Sequence, residues 1–336
     1  MPGERELARK HSVARMTARA ALKTLESEGL LAAVPGKGYR VMARANNPHL
    51  GCPVAFVLSS ESIPAGADYM HRRLAELIRK AAGARGWGFM NLIEDRARMG
   101  QLFAQLGGTR TWGLVVDSAY PEVLAGAASA GLPVVAIDSW DAAAGYDAVV
   151  QDSFDGARQA AAWLVGRGHR RIGWFGQTVR AFHARARFGG ASAALAENGL
   201  GFAATATREI NDADLLGPAR EMLAGQDRPT GFLALWQPMA AAVAAAAREL
   251  GLQAGRDFDL VGWSAEETCR DGFLPSLGGG HRPAVVVWSA REMVEAALDR
   301  LAERRARPEL PVLRLTVPAR LLAPDELADT GSTERR

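Results

Sequence analysis

The first forty residues carry their apolar positions at helical spacing. Glu4–His11 brings Leu7 and Ala8 together, and Ser12-Val13-Ala14 reads as a short turn. Arg15–Gly29 then sets Ala18, Ala21, Leu22 and Leu25 on one stripe, which predicts a second helix with one buried side. Arg15, Arg19 and Lys23 follow one another at i, i+4 and i+8, a basic line near the opposite face. Gly29 suits the end of that helix. Leu30–Val34, the tight turn Pro35-Gly36-Lys37-Gly38 and Tyr39-Arg40-Val41 predict a strand, a turn and a strand.

Periodicity fades between Met42 and Pro53, where two prolines and few apolar residues predict a linker. Beyond it the pattern alternates. Short apolar runs predict strands at Val54–Leu58, Trp87–Ile93, Gly113–Asp117, Val134–Asp138, Ala148–Gln151, Ile172–Gly176, Gly231–Leu235 and Leu260–Trp263. Helical patterns lie between them, at Tyr69–Arg85, Gly156–Gly166, Ala184–Asn198, Leu215–Ala224 and Ala240–Leu250. Repeated strand–helix units predict parallel sheets covered by helices on both faces. This length suits two doubly wound lobes, with a ligand near the carboxyl ends of the strands. The N-terminal order of helix, turn, helix and hairpin is the layout of a winged helix-turn-helix.

Composition narrows the class. The 336 residues are 48% hydrophobic and 23% charged, which excludes wholesale disorder. The longest strongly apolar stretch, near Met239–Ala247, is too short to cross a bilayer. The opening MPGERELARKH puts charges where a signal peptide needs apolar residues, so a cytoplasmic protein is expected. Cys52 and Cys269 give neither a disulfide scaffold nor a zinc spacing. Charge is unevenly spread: residues 1–50 hold nine Lys/Arg and four Glu, a net +5, in a chain whose total is +3. The remainder is therefore slightly acidic. A small basic module on a large, nearly neutral one points to a polyanionic partner, with a solvated basic surface as the plain alternative.

The run PGEREL…SVARMTARAALKTLESEGLLAAVPGKGYRV resembles the GntR-type winged helix. The resemblance rests on the Pro-x-Glu-Arg-Glu-Leu opening, the Arg-x-Thr-x-Arg recognition helix, the Leu-Glu-x-Glu-Gly-Leu segment and the Gly-x-Gly wing. It implies that Arg5, Arg15, Thr17 and Arg19 touch DNA and that Gly36, Lys37 and Gly38 form the wing tip. A helix entering the major groove needs long cationic side chains of this kind. Ala14 stands where the family usually has a capping Ser or Thr, a loss of about 1 kcal/mol of helix stability, and Met16 where a polar residue is common. The family's first helix has no counterpart here, so either the coding start lies upstream of Met1, which is the expectation, or the DNA-binding domain is poorly stable.

Pro53–Leu322 resembles the sensor domain of the lactose-repressor (LacI/GalR) family, a fold shared with periplasmic solute-binding proteins. The resemblance is carried by Asp152-Ser-Phe-Asp-Gly-Ala-Arg, Leu164-Val-Gly-Arg-Gly-His-Arg-Arg-Ile-Gly173, Arg185-Ala-Arg-Phe-Gly-Gly190, Arg228-Pro-Thr-Gly-Phe232 and Gly251–Trp263. It implies an interlobe effector cleft to which Ser59, Asp138, Arg187, Trp236, Ser264 and Trp288 contribute. Sugar-binding members have an Asn-Asp pair where this chain has Trp236-Gln237, and Asp-Asp where it has Ser264-Ala265. Trp288 lies where a polar residue is common. These departures turn the expectation from an ordinary hexose toward an aromatic, nucleoside-like or hydrophobic effector, or toward loss of ligand response.

Enzyme readings find little support. Gly166–Gly173 joins a helix to a strand, the reverse of a dinucleotide fingerprint, and Pro35-Gly-Lys-Gly38 precedes a strand, so no helix N-terminus follows it for phosphate. The six histidines, His11, His49, His71, His169, His183 and His281, show no i, i+4 metal pair, and no nucleophile has an arguable base. No catalytic residue, metal or cofactor is expected.

The expected molecule is an α/β protein with a two-lobed, doubly wound parallel-sheet sensor domain and a small N-terminal winged helix-turn-helix. Its boundaries are 1–42 for the DNA-binding domain, 43–52 for the linker, 53–325 for the sensor and 326–336 for a tail. Lobe 1 takes 53–151 and 286–308; lobe 2 takes 152–284 and 309–325. Its partners are operator DNA, a sugar or other small effector and a second copy in a homodimer, with no membrane. The expected function is transcriptional regulation, as a repressor, with a solute-binding receptor lacking DNA binding as the alternative.

Overall fold

A computed structural model describes residues 4–10, 13–27, 31–34, 38–41, 52–63, 69–118, 120–140, 145–179, 181–279 and 282–329. The chain divides into two compact units, Met1–Gly51 and Cys52–Arg336.

In the first unit, α1 (Glu4–Lys10) is followed by α2 (Arg15–Ser27), and β1 (Leu31–Val34) pairs antiparallel with β2 (Gly38–Val41). Ala8, Ala18 and Leu22 bury one seam between the helices. Ala21, expected on that seam, is exposed: Ala18 and Leu22, the buried α2 side chains among the described residues, are i and i+4, and i+3 falls outside their contact. Gly38 begins β2 with φ +83°, a conformation that glycine adopts without steric cost.

The second unit holds two six-stranded sheets. Lobe 1 contains β3 (Pro53–Ser59), β4 (Gly88–Glu94), β5 (Gly113–Asp117), β6 (Val134–Ile137), β7 (Asp147–Gln151) and β13 (Arg314–Val317), in the spatial order 13-7-6-5-3-4 and all parallel. Lobe 2 contains β8 (Ile172–Phe175), β9 (Phe202–Ala206), β10 (Gly231–Ala234), β11 (Asp259–Ala265), β12 (Ala284–Trp288) and β14 (Ala319–Leu322), in the order 14-12-11-10-8-9. Only β14 there runs antiparallel, beside β12. Central strands such as β5, β6, β10 and β11 are buried along nearly their whole length, with polar residues confined to or near the ends, because helices cover both faces. The edge strand β9 instead alternates half-buried with exposed residues.

The helices of this unit are α3 (Tyr69–Ala84), α4 (Met99–Gly107), α5 (Pro121–Ala128), α6 (Ser153–Gly166), α7 (Phe182–Glu197), α8 (Leu216–Leu223), α9 (Gln237–Glu249), α10 (Glu266–Thr268), α11 (Leu274–Ser276), α12 (Ala290–Ala306) and α13 (Pro324–Asp329).

The chain crosses between lobes three times, at Asp152, Ser289 and Pro318. Two crossings double as helix caps: Asp152 accepts from the Asp155 amide at the start of α6, and Ser289 from the Glu292 amide at the start of α12. The Asp152 amide donates to the Val317 carbonyl at 2.8 Å, tying the first crossing to the third. These positions correct the expected lobe boundaries. β12 lies wholly in the lobe 2 sheet, so lobe 1 does not resume at 286. β13 pairs with β7 in lobe 1, so lobe 2 does not resume at 309. The segment 324–329 is helical and Leu327 packs on the core, so the tail does not begin at 326.

One buried ionic cluster anchors α12 to lobe 1. Asp147, at the start of β7, accepts from Arg300 Nη2 (3.0 Å), Arg304 Nε (2.8 Å) and the Leu313 amide (2.8 Å). Burial alone would raise this carboxyl. The hydrogen bonds from Arg304, Leu313 and Arg300 outweigh it and hold the group below the usual carboxylate range. Arg300 is only 3% exposed, so removing its partner strands a buried charge. Asp147→Ala is expected to cost about 3–5 kcal/mol in denaturant unfolding; a loss below about 1 kcal/mol contradicts this role. Because the folded pKa is depressed, the contribution is present above the unfolded value near 4 and fades as pH falls. The gap between wild type and variant should therefore narrow in acid.

Candidate functional site

A cavity of about 640 Å³ opens between the two lobes, at the carboxyl ends of their strands and beside the crossings. Strand ends supply much of its polar lining. Asp117 closes β5, Asp138 follows β6 and Gln151 closes β7; from lobe 2 come Arg187 of α7, Trp236 before α9 and the end of β11. Asp138 has φ +54°, an unusual left-handed conformation for a non-glycine residue, at the turn where β6 ends.

Arg187 joins the lobes. One terminal nitrogen donates to the Leu235 carbonyl (2.6 Å) and the other to Gln151 Oε1 (3.0 Å). Gln151 Nε2 in turn donates to both Asp138 oxygens, each at 3.0 Å. The guanidinium lies over the Trp263 ring, 4.5 Å from its centroid. Burial, helped by nearby Asp117, pushes Asp138 up to about 6 against the opposing pull of Arg187 and Gln151. Burial pushes Asp117 up to about 7; His71 Nε2 stands 3.7 Å from its carboxylate. At the mouth, Asn211 of lobe 2 donates to the Glu61 carbonyl of lobe 1 at 3.0 Å.

Hydrogen bonding fixes the form of His183. Trp236 Nε1–H, which can only donate, reaches His183 Nε2 at 3.0 Å. Nε2 must therefore carry a lone pair. Burial, with Arg187 close by, lowers the ring to about 3, so it is neutral and its proton sits on Nδ1. That Nδ1–H faces the Asp138 backbone carbonyl, which favours a proton there. Arg187 Nε, Trp263 Nε1 and the amide oxygens of Gln177 and Gln237 are buried without a partner. Unsatisfied buried polar atoms are rare in folded proteins, and these four surround one cavity.

The sequence-predicted site residues divide as follows. Asp138, Arg187, Trp236, Ser264 and Trp288 all line the cavity. Ser59 does not. It is fully buried as the last residue of β3, with its hydroxyl 2.6 Å from that of Ser62 and 3.3 Å from that of Ser118. Those two serines face the cavity and Ser59 stands one layer behind. Ser264 is committed inward, donating to the Ala265 carbonyl at 3.0 Å. Sequence reasoning missed Asp117, Gln151, Gln177, His183 and Trp263. Asp117 ends its apolar strand as Asp138 ends the next, a signal that was readable. In the first unit, Arg15 and Thr17 are exposed, Arg19 is half-buried and Gly38 begins β2. The Arg5 side chain, Gly36 and Lys37 lie outside the described residues.

Residues 161–323 match the periplasmic binding protein-like domain family, and residues 1–41 match the bacterial regulatory proteins of the gntR family. The HTH-type transcriptional repressor PurR of Escherichia coli O1:K1 / APEC is 27% identical over 201 residues, covering 58% of this chain and 58% of that protein. Among solved structures, the transcriptional regulator CelR–cellobiose complex superposes with a TM-score of 0.68 at 17% identity, over 96% of this chain and 99% of that one. A regulatory protein of the LacI family from Chloroflexus aggregans gives 0.68 at 20% identity, over 80% and 96%. The second unit thus has the two-lobed fold that the motifs implied.

The placement of Arg187 rests on Gly190, one turn further along α7. A Cβ there would lie 2.0 Å from the Phe154 carbonyl of α6, whereas one on Gly189 would lie 3.8 Å from the Phe154 ring, an ordinary contact. Gly190→Ala should therefore destabilise by about 1–3 kcal/mol and disturb the Trp263 environment in near-ultraviolet circular dichroism. Gly189→Ala should be neutral or stabilise by up to about 1 kcal/mol. Equal melting temperatures for the two variants contradict the close-packing argument.

Proposed function

We propose that the protein is a DNA-binding transcriptional regulator, acting as a repressor, whose hold on an operator is set by a small molecule in the interlobe cavity. The carrying observation is the ring of unpartnered buried polar atoms around that cavity, placed at the crossings about which the lobes can move. Such groups are left unsatisfied at a cost that a polar ligand would recover. The GntR-family match over residues 1–41 supplies the other half: α2 offers Arg15 and Thr17 to solvent, with Met16 beside them. PurR is described as a transcriptional repressor and CelR was solved with cellobiose, in line with this division of labour.

In this reading a homodimer sets two N-terminal modules on a pseudopalindromic operator. Filling the cavity changes the relative pose of the lobes, and with it the fit of the two modules to their half-sites. The cavity residues do binding work: Asp138, Gln151 and Arg187 orient the ligand's polar groups, and Trp236 and Trp288 present aromatic walls. A solute-binding receptor remains the rival, and DNA binding separates the two.

The test is retention of a fragment from the gene's own promoter by the full chain at two salt concentrations. Specific binding should weaken steeply as salt rises, because displaced counterions drive it. Arg15→Ala and Arg19→Ala should each weaken retention about ten- to hundredfold while leaving the melting temperature of the second unit unchanged. Wild-type affinity in both variants, or no retention by the wild type at any salt, contradicts the assignment.

A further inference from the structure

The walls of the cavity differ in chemistry. Lobe 1 brings carboxyl groups: Asp117 and Asp138 inside, Glu61 and Glu122 nearer the mouth. Lobe 2 adds Glu209. Among the described residues two guanidiniums line the same space, and the His71 imidazole stands 3.7 Å from Asp117. One, Arg96, lies 3.4 Å from Glu122 and stacks on Tyr120 at 4.6 Å. The other, Arg187, is held between the Leu235 carbonyl of lobe 2 and Gln151 of lobe 1. The cavity thus has an excess of negative charge, concentrated on one wall. The facing wall offers two unpartnered donors, Arg187 Nε–H and Trp263 Nε1–H, beside the His183, Trp236 and Trp288 rings.

A neutral polyol or an anion fits this arrangement poorly. It would leave the buried carboxyl groups of Asp117 and Asp138 balanced by no more than the His71 imidazole and, beyond Gln151, the Arg187 guanidinium, an unfavourable state in a low dielectric. A cation placed between the carboxylates relieves it. We infer that the cavity takes a small organic amine, its ammonium group toward Asp117 and Asp138 of lobe 1 and its hydroxyl, carbonyl or carboxylate acceptors toward Arg187 and Trp263 of lobe 2. This rests on the effector-cavity reading and gives that effector a chemical class. The raised titration of both aspartates agrees, since burial outweighs the partners each has within the cavity wall. A ligand polarised in this way spans the cleft, so both lobes must contact it at once.

The test uses the full chain and matched compounds that differ by an amine for a hydroxyl: D-glucosamine and D-glucose, D-galactosamine and D-galactose, D-mannosamine and D-mannose, tyramine and tyrosol. Binding is read by calorimetry and by the shift in melting temperature. At least one amine should bind about ten- to hundredfold tighter than its hydroxyl partner. Asp117→Asn should erase that advantage without lowering the melting temperature of the unliganded protein, because the amide removes a buried charge. Asp138→Asn provides a second variant should the first fail to fold. Hydroxyl compounds that match or exceed their amines overturn the inference and leave the effector cavity standing. Silence from every pair also overturns it, while the promoter-retention experiment judges the regulator reading independently.

Discussion

The second unit is organised around a guanidinium that belongs to one lobe and is hydrogen-bonded to both. Arg187 stands on α7 of lobe 2, yet one of its nitrogens reaches Gln151, the last residue of β7 in lobe 1. Gln151 passes the connection to Asp138, and it also pairs in register with Val317 just before the third crossing. A charge this deeply buried is tolerated only while its hydrogen bonds persist. The contact therefore fixes the cleft, the hinge and the polar floor of the cavity together. Moving the lobes apart must break it or carry it along, and a ligand touching Arg187 and Asp138 changes the balance between those outcomes.

Several features of the fold serve that placement. Gly190 lets α7 pack on the α6 backbone, which settles where Arg187 stands. Asp152 and Ser289 cap helices at two crossings, giving the hinge well-defined ends. The Asp147 cluster fastens α12 to β7 and to the segment leading into β13. Forces in the cleft thus meet elements anchored on either side. The N-terminal unit follows a different economy, with a small buried seam and an exposed polar helix face, as suits a module that binds a charged partner.

Much of this architecture was legible because buried parallel strands are continuous apolar runs. The run at Gly113–Asp117 is a strand with those bounds, and those at Val134–Asp138 and Ala148–Gln151 shift by a single residue. β9 escaped because Phe202–Ala206 is an edge strand of alanine and threonine, with little hydrophobic contrast. The lobe boundaries slipped because β13 and β14 are separated by one proline and diverge into different sheets, which no local pattern encodes. Motif resemblance located Asp138, Arg187 and Trp236, but not the buried pairings that define their chemistry. His183 looked like one of six scattered histidines until its bond to Trp236 fixed its tautomer. Ser59 ended a strand, as the cavity residues do, yet points toward Ser118 and not into the cleft.

Coupling between the cavity and DNA is the central claim, and linkage makes it measurable from both sides. The decisive measurement is the affinity of the full chain for its promoter fragment with and without a saturating amine from the matched series, set beside the affinity for that amine with and without saturating DNA. The account predicts that both ratios depart from one and agree, by a factor of about 5–150. DNA affinity indifferent to a filled cavity would contradict it.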